Sequence, residues 1–363
     1  MTPPSNTRAA YRDVGRYMVD QSPVPVDLRD NTNLWGTPPG AMRAIARASN
    51  AVSRYPRIYA SELKEALAAY LGVSADRIVT GCGSDDVIDA ALRAVADPGE
   101  SMAHLEPTFP TAITFAQMNR LVPIAVPLTA AYDANVDALL ATGARVIYLC
   151  SPNNPTGTVV ARDSLERLVA QAPGIVIVDE AYAEYAGVSV VDLVQSSTRL
   201  LVLRTMSKAF GLAGVRVGYA IGAPDLVADV EKSRGPYKVS VVAERAALTA
   251  LADDIAWVRA RVAETIANRG QLVTRLAALG LPALPSAANF LFVPTARAVP
   301  LERALWARGV GVRLYRGLQG FGDAIRMTVG PWVLMAALIQ ALEEAMADME
   351  AAEPTDAPTV RTP

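Results

Sequence analysis

The chain is short of several side chains on which catalytic and binding sites often depend. It contains one histidine, two cysteines and four lysines among 363 residues. A single histidine argues against a histidine-rich metal site and against a histidine-based catalytic triad, so we predict no metal site and give His104 no role. Cys82 and Cys150 lie beside apolar segments, and we expect them to be free thiols in the core of a protein from a reducing compartment.

The composition also gives little sign of a nucleic-acid or membrane partner. The formal net charge is −2 at pH 7, without the basic excess of a nucleic-acid-binding protein. No stretch of about 18 apolar residues is free of charge, and the first residues lack the basic and then apolar order of a secretory signal. With 52% hydrophobic and 19% charged residues, the chain resembles a globular enzyme, and we expect it to be cytoplasmic.

Short apolar segments alternate with longer helical patterns between about residues 60 and 220. Seven of these segments are predicted to be strands: Arg77–Thr80, Ser101–Ala103, Val122–Val126, Val146–Leu149, Ile175–Val178, Leu200–Leu203 and Val217–Ile221. They lack a two-residue alternation of apolar and polar side chains, which is typical of strands covered on both faces. The pattern predicts an α/β fold with a three-layer α/β/α domain around a mostly parallel, seven-stranded sheet.

The second part of the chain has a different pattern, with two long helices followed by short strands and further helices. We expect a large domain over residues 41–250 and a smaller α+β domain that combines residues 251–350 with an N-terminal arm, residues 1–40. Residues 351–363 are rich in proline, alanine and threonine, and we expect them to form a disordered tail.

Lysine is scarce, yet Lys208 stands soon after the predicted strand Leu200–Leu203. A lysine amine can lose its proton when desolvated and attack a carbonyl group to form a Schiff base, which arginine cannot do. A solvated lysine on a turn is the alternative if Lys208 is considered alone. Its neighbours in the expected fold favour the catalytic interpretation.

Other polar residues also follow predicted strands. Gly83, Ser84 and Asp85 open a helix after the first strand, where free backbone N–H groups suit a phosphate, although Ser84 could simply be an N-cap. Asn154 follows another strand. Asp179 ends a third and needs a cationic partner, which could be a core arginine or a metal. Since parallel strands end at one edge of the sheet, we expect these loops to converge.

Converging loops of this kind can bind an aldehyde cofactor with a heterocyclic ring. Lys208 would hold the aldehyde as an imine, and Asp179 would pair with a ring nitrogen and keep it protonated. Asn154 and Tyr182 would contact a ring hydroxyl, and Phe109 would contact the ring face. A phosphate would be bound by Ser84, Ser207 and Arg216. Pyridoxal 5′-phosphate has all of these features.

The motifs resemble those of fold-type-I pyridoxal-phosphate-dependent aminotransferases, in particular the histidinol-phosphate aminotransferase branch. The matching strings are SPNNPTG at 151–157, VDEAY at 178–182, RTMSKAFGLAGVRVG at 204–218 and IRMTVG at 325–330. The resemblance implies transfer of an amino group between an amino donor and a 2-oxo acid. It also implies that Lys208 carries a proton between substrate and cofactor, and that Gly83, Ser84 and Asp85 belong to the phosphate end of the site.

The same resemblance implies roles for residues outside these loops. Tyr55 matches a residue lent to the phosphate site of the neighbouring subunit, which implies a homodimer. Arg326 matches the arginine that clamps a substrate carboxylate or phosphate. Trp35 and Lys238 stand where this chain departs from the family pattern, and Asn33 belongs to the same aligned string as Trp35. We expect all three to contact the substrate. Core packing of Trp35 and solvation of Lys238 are the alternatives, and a pyridoxal-phosphate-dependent decarboxylase, lyase or cyclase is the alternative activity.

Overall fold

The computed structural model describes residues 6–12, 14–16 and 18–352. Its strands form three sheets. The strands are β1 (Val26–Asp27), β2 (Ile78–Cys82), β3 (Ser101–Glu106), β4 (Val122–Pro127), β5 (Val146–Cys150), β6 (Ile175–Asp179), β7 (Leu200–Thr205), β8 (Val217–Gly222), β9 (Phe290–Pro294), β10 (Val310–Gly311), β11 (Arg313–Leu318) and β12 (Gly322–Thr328). All seven predicted strands of the large sheet are present, most of them one or two residues longer than predicted.

The large sheet has the strand order β2-β8-β7-β6-β5-β3-β4. Strand β8 runs antiparallel to both of its neighbours, and the other neighbouring pairs are parallel. Every residue of β5, β6, β7 and β8 is buried, as expected of continuous apolar strands covered on both faces. The predicted α/β class with a mostly parallel, seven-stranded sheet is confirmed.

Helices cover this sheet on both faces. The helices are α1 (Pro39–Ala48), α2 (Ser61–Leu71), α3 (Gly83–Val95), α4 (Pro110–Met118), α5 (Val136–Ala141), α6 (Arg162–Gln171), α7 (Ala183–Ala186), α8 (Pro224–Lys232), α9 (Val241–Ala252), α10 (Ile255–Ala278), α11 (Ala298–Ala307) and α12 (Trp332–Ala352). One face packs on α3, α4 and α8, and the other on α2, α5, α6 and α9. The resulting three layers leave the carboxyl ends of the parallel strands uncovered by helices.

A second group of elements packs around its own apolar cluster. Strands β11, β12 and β9 form an antiparallel sheet, and α10, α11 and α12 contribute leucines to the cluster beside it. Leu28 joins this cluster, and β1 pairs with β10, so residues near the N-terminus contact the C-terminal part of the chain. The apolar cluster that contains residues of α2 and α9 also contains Val258, Ala288 and Phe290, which lie beyond residue 250. Domain boundaries at residues 40 and 250 therefore stay a prediction.

Two expectations need correction. Helix α12 continues to Ala352, so the predicted tail begins with two helical residues, and residues 353–363 lie outside the described part of the chain. Cys150 is buried as expected, but Cys82 is exposed because it ends the edge strand β2, where coverage by helices stops. Within the described residues, no helix is long and apolar enough to cross a membrane. The cytoplasmic location stays a prediction.

Candidate active site

A cavity of about 390 Å³ lies where β5, β6 and β7 end, opposite β11 and β12 of the smaller sheet. The fold places it there because parallel strands end at a common edge, and the loops that follow them supply its wall. Ten of the residues singled out from the sequence line this cavity: Ser84, Asp85, Phe109, Asn154, Asp179, Tyr182, Ser207, Lys208, Arg216 and Arg326.

Lys208 reaches into the cavity from the loop after β7. Its Nζ donates a hydrogen bond to the carbonyl oxygen of Asp30 at 3.1 Å and lies 5.8 Å from the ring centre of Tyr182. Burial, together with the nearby guanidinium of Arg326, lowers the pKa of Lys208 to about 8. Gly211 allows this loop to fold tightly, since its φ is +62° and a Cβ there would collide with the carbonyl oxygen of Gly36.

Asp179 ends β6 and is 3% exposed. Its Oδ2 accepts a hydrogen bond from the hydroxyl of Tyr148 at 2.8 Å, and its Oδ1 accepts one from the backbone N–H of Ala181 at 3.1 Å. Burial raises the pKa of Asp179 to about 6, against the effect of these two donors. The carboxylate is therefore held by two neutral donors, and the alternative of a core arginine as its partner is wrong.

Helix α3 points its N-terminus at one end of the cavity. Ser84 and Asp85 lie in its first turn, and Arg216 donates a hydrogen bond to Asp85 at 3.1 Å. Gly83 has a φ of +79°, and a Cβ there would collide with the Arg216 guanidinium, so only glycine permits this approach. Because Ser84 lies inside the helix and Cys82 occupies the cap position, the N-cap alternative for Ser84 is wrong. Free N–H groups, a serine hydroxyl and a guanidinium together suit a phosphate.

Arg326 is buried at the opposite end of the cavity. Its Nη1 donates to Oδ1 of Asn154 at 2.5 Å and to the hydroxyl of Tyr315 at 2.8 Å, and its Nη2 donates to the carbonyl oxygen of Arg29 at 2.7 Å. Its Nε is buried and has no hydrogen-bond partner among the described residues. Such a buried N–H group costs free energy, because no acceptor among the described residues reaches it.

Two residues that the sequence analysis did not identify also line the cavity. Asn31 donates from Nδ2 to the hydroxyl of Tyr182 at 3.1 Å. Arg313 forms an ion pair with Asp30 and is the register partner of Arg326 on neighbouring antiparallel strands. Residues directly opposite one another on such strands share a face of the sheet, so both guanidinium groups reach the cavity. An arginine in each of two consecutive predicted strands was the signal that could have identified Arg313.

Five predicted site residues are not among those that line the cavity of their own chain: Gly83, which precedes Ser84 at the start of α3, and Tyr55, Asn33, Trp35 and Lys238. Tyr55 is 83% exposed and stacks on Tyr237 outside it. Asn33 is occupied in a turn, where it accepts from the N–H of Trp35 at 3.0 Å and donates to a carbonyl oxygen at 3.0 Å. Lys238 donates to Asp86 at 2.8 Å. Asn33, Trp35 and Lys238 do not line the cavity, so this geometry does not provide their expected contact with a substrate in the same chain.

Comparison with known proteins agrees with the geometry of this cavity. The family model for aminotransferases of class I and II matches residues 24–342. A histidinol-phosphate aminotransferase of Roseiflexus castenholzii is 40% identical over 333 residues, which is 88% of this chain and 89% of the relative. An aromatic amino acid aminotransferase of Rhodococcus erythropolis is 35% identical over 318 residues, 85% of this chain and 87% of the relative.

A solved structure of an aminotransferase is also similar to this chain. The histidinol-phosphate aminotransferase from Sinorhizobium meliloti, in complex with pyridoxal-5′-phosphate, has a TM-score of 0.87 and 25% identity, and the match covers 96% of this chain and 99% of that one. The chain belongs to the class I and II aminotransferase family. It is an enzyme that uses pyridoxal 5′-phosphate to move an amino group from an amino donor to a 2-oxo acid. The predicted activity and cofactor are confirmed.

The pKa of Lys208 leads to a prediction for the enzyme freed of its cofactor. An amine attacks an aldehyde only when it is neutral, so attachment of added pyridoxal 5′-phosphate should accelerate with rising pH and reach half its maximum near pH 8. Borohydride trapping at timed intervals between pH 6 and pH 10 measures this rate, and a lysine amide in solution corrects for titration of the reagent. A midpoint near 10.5, the ordinary value for lysine, would show that burial does not act on this amine.

Proposed function

We propose that Lys208, Asp179 and the N-terminus of α3 hold pyridoxal 5′-phosphate across the cavity. A lysine amine, a buried carboxylate and an anion-binding helix end line one cavity, and the cofactor has a group for each of them. When bound, the cofactor supplies an aldehyde for covalent attachment and a protonated ring that accepts the electron pair released at the substrate Cα. This convergence of Lys208 and Asp179 is the observation that carries the proposal.

The residues around the cofactor would have different roles in binding and in proton transfer. Lys208 would take the proton from the substrate Cα, since its amine is in reach and has a pKa near neutrality. Asp179 would keep the ring nitrogen protonated. Tyr182 and Asn154 would orient the ring through its hydroxyl, and Phe109 would pack on its face. A further set would hold the phosphate: Gly83, Ser84, Asp85, Ser207 and Arg216.

The substrate side of the cavity is cationic. Arg313 and Arg326 both line it. We infer an amino donor with a phosphate or carboxylate group, which a guanidinium binds in a bidentate manner. Histidinol phosphate is the first candidate, because the relative that is 40% identical is named for this substrate.

An aromatic amino acid is the second candidate. Tyr315 lines the cavity and would contact a flat side chain. The relative from Rhodococcus erythropolis is named for such substrates and is 35% identical. A single arginine would then bind the amino acid carboxylate, which leaves the second guanidinium without a substrate partner.

A panel of amino donors and 2-oxo acids tests these proposals. The holoenzyme is mixed with histidinol phosphate, phenylalanine, tyrosine or glutamate, and the absorbance of the bound cofactor is followed until a 2-oxo acid restores it. A kcat/KM for histidinol phosphate at least about tenfold above that for phenylalanine supports the first candidate, and the reverse order supports the second. Release of carbon dioxide or ammonia without this cycle would favour the decarboxylase, lyase or cyclase alternative.

Tyr55 and its surroundings support a homodimer. Tyr55 is 83% exposed, and Met42, Val52, Ile58 and Tyr237 are exposed near it in sequence or in contact with its ring. Exposed apolar side chains in such number are typical of a protein interface. We propose that a second copy of the chain covers them and receives the Tyr55 hydroxyl at its phosphate site.

Hybrid dimers provide a sharp test of this exchange. Replacement of Tyr55 with alanine is expected to weaken cofactor affinity about tenfold, the loss of one hydrogen bond to a charged group. A dimer of one Tyr55→Ala chain and one Lys208→Ala chain then has one intact site if Tyr55 acts across the interface. We expect that hybrid to bind one cofactor per dimer with the affinity of the unmodified enzyme. If both of its sites remain defective, Tyr55 serves its own chain.

A further inference from the structure

We propose that Tyr148 is a positioning residue whose hydroxyl fixes the Asp179 carboxylate in the orientation that faces the cofactor ring nitrogen. This inference rests on the proposed pairing of Asp179 with that nitrogen. Tyr148 itself does not line the cavity, so it can act on the reaction only through Asp179.

The sheet explains how Tyr148 reaches Asp179. Cys150 is the register partner of Asp179, and Tyr148 is the register partner of Ile177, on the neighbouring parallel strands β5 and β6. All four side chains lie on one face of the sheet, because residues two apart on a strand share a face. From its position two residues before the strand end, the long side chain of Tyr148 extends toward the cavity and places its hydroxyl 2.8 Å from Oδ2 of Asp179.

Tyr148 is fully buried, and its ring packs in the apolar cluster of β5, β6, α3 and α4. A hydroxyl in such surroundings costs free energy unless it has a partner, and the Asp179 carboxylate is the partner of this one among the described residues. The bond therefore cannot be exchanged for one to water without exposing the cluster. This makes the contact between the two side chains a fixed feature of the fold.

The two donors to Asp179 divide its carboxylate between them. Oδ2 takes the Tyr148 hydroxyl and Oδ1 takes the N–H of Ala181, so rotation of the carboxylate would break both bonds. Each oxygen retains a lone pair that can face the cavity. The phenol donates a stronger hydrogen bond to a carboxylate oxygen than to an oxygen of the neutral acid, so its bond favours the ionised carboxylate. Burial and the Asp85 charge oppose ionisation, whereas Ala181 and Lys208 assist it.

Tyr148→Phe removes this bond and keeps the ring. Tyr219→Phe is a matched control, because Tyr219 is 1% exposed on the same sheet and its hydroxyl has no hydrogen-bond partner in the described part of the chain. We expect Tyr148→Phe to weaken the equilibrium affinity of the cofactor-free enzyme for pyridoxal 5′-phosphate about tenfold or more. Tyr219→Phe should leave it within about twofold, whatever its effect on the melting temperature.

An analogue with a C–H group in place of the ring nitrogen separates positioning from packing. The affinity difference between the unmodified enzyme and Tyr148→Phe is expected to vanish with this analogue, because Asp179 then has no nitrogen to pair with. Equal losses for both cofactors, or no loss for either, would overturn the role of Tyr148. If Tyr148→Phe does not fold, 3-fluorotyrosine at position 148 serves instead: as a stronger donor it should tighten binding of the natural cofactor and leave the analogue unchanged, and equal effects on both would overturn the proposal.

The same titrations with Asp179→Asn keep the two hypotheses apart. If Asp179→Asn weakens binding of the natural cofactor and of the analogue by the same factor, the proposed pairing of Asp179 with the ring nitrogen is wrong, and the inference on Tyr148 fails with it. If Asp179→Asn weakens binding of the natural cofactor alone, whereas Tyr148→Phe weakens both equally or neither, the pairing stands and the role of Tyr148 alone is refuted.

Discussion

Replacement of Lys208 with alanine is expected to lower kcat/KM by about 10⁴-fold or more. The variant loses the amine that anchors the cofactor and the base that moves the proton at the substrate Cα, and positioned acid–base groups alone contribute about 10²–10⁴-fold. Steady-state kinetics with the best donor from the panel measure the loss, and absorbance shows whether the cofactor is still attached covalently. Lys208→Arg should be as inactive, because a guanidinium neither loses its proton nor attacks a carbonyl.

Lys232→Ala is the matched control for this experiment. Lys232 is an exposed lysine paired with Asp229 on the surface of α8. We expect its kcat/KM to stay within about twofold of the unmodified enzyme, since exposed ion pairs of this kind contribute little. If Lys208→Ala kept more than about a tenth of the original activity, the assignment of Lys208 as the catalytic amine would be wrong.

Asp179→Asn is expected to have the second largest effect, a loss of about 10²–10³ in kcat/KM, typical of the loss of one preorganised electrostatic group. Asparagine has nearly the same size, and its amide can accept from the N–H of Ala181 and donate to the hydroxyl oxygen of Tyr148. The loss would therefore report the missing negative charge opposite the ring nitrogen. Single-turnover kinetics with a substrate deuterated at Cα show whether proton transfer has become the slow step.

A second buried aspartate provides the control. Asp254 is 5% exposed and accepts hydrogen bonds from the N–H groups of Gly40 and Ala41 at the start of α1. We expect Asp254→Asn to lower the melting temperature, because an anion at a helix N-terminus is lost, and to leave kcat/KM within about twofold. A near-normal rate for Asp179→Asn would contradict the proposed role of Asp179.

The large sheet was predictable because its strands are buried on both faces. Continuous apolar segments such as Val146–Leu149 and Ile175–Val178 have no other compact arrangement between helices. The convergence of Asn154, Asp179 and Lys208 followed from the rule that parallel strands end at one edge. The strands extend to Cys150 and Asp179 because hydrogen bonding of the sheet continues past the last strongly apolar residue.

Contacts between distant segments could not be predicted in this way. Tyr148 looks like any aromatic residue of a buried strand until the register of β5 and β6 sets its hydroxyl against Asp179. Arg313 required the pairing of β11 with β12, which no local pattern fixes. Lys238 was expected at the substrate because it departs from the family pattern, whereas its actual partner, Asp86, is 152 residues away in sequence. Local sequence patterns contain no information on such pairings.

The central claim is that one lysine holds the cofactor. Borohydride reduction of the native holoenzyme, followed by protease digestion and mass spectrometry, tests it most directly. We predict that the peptide with residues Ser207-Lys208-Ala209 carries the reduced cofactor on its lysine and that peptides with Lys64, Lys232 or Lys238 do not. An unlabelled Lys208, or a label on one of the other three lysines, would contradict the account.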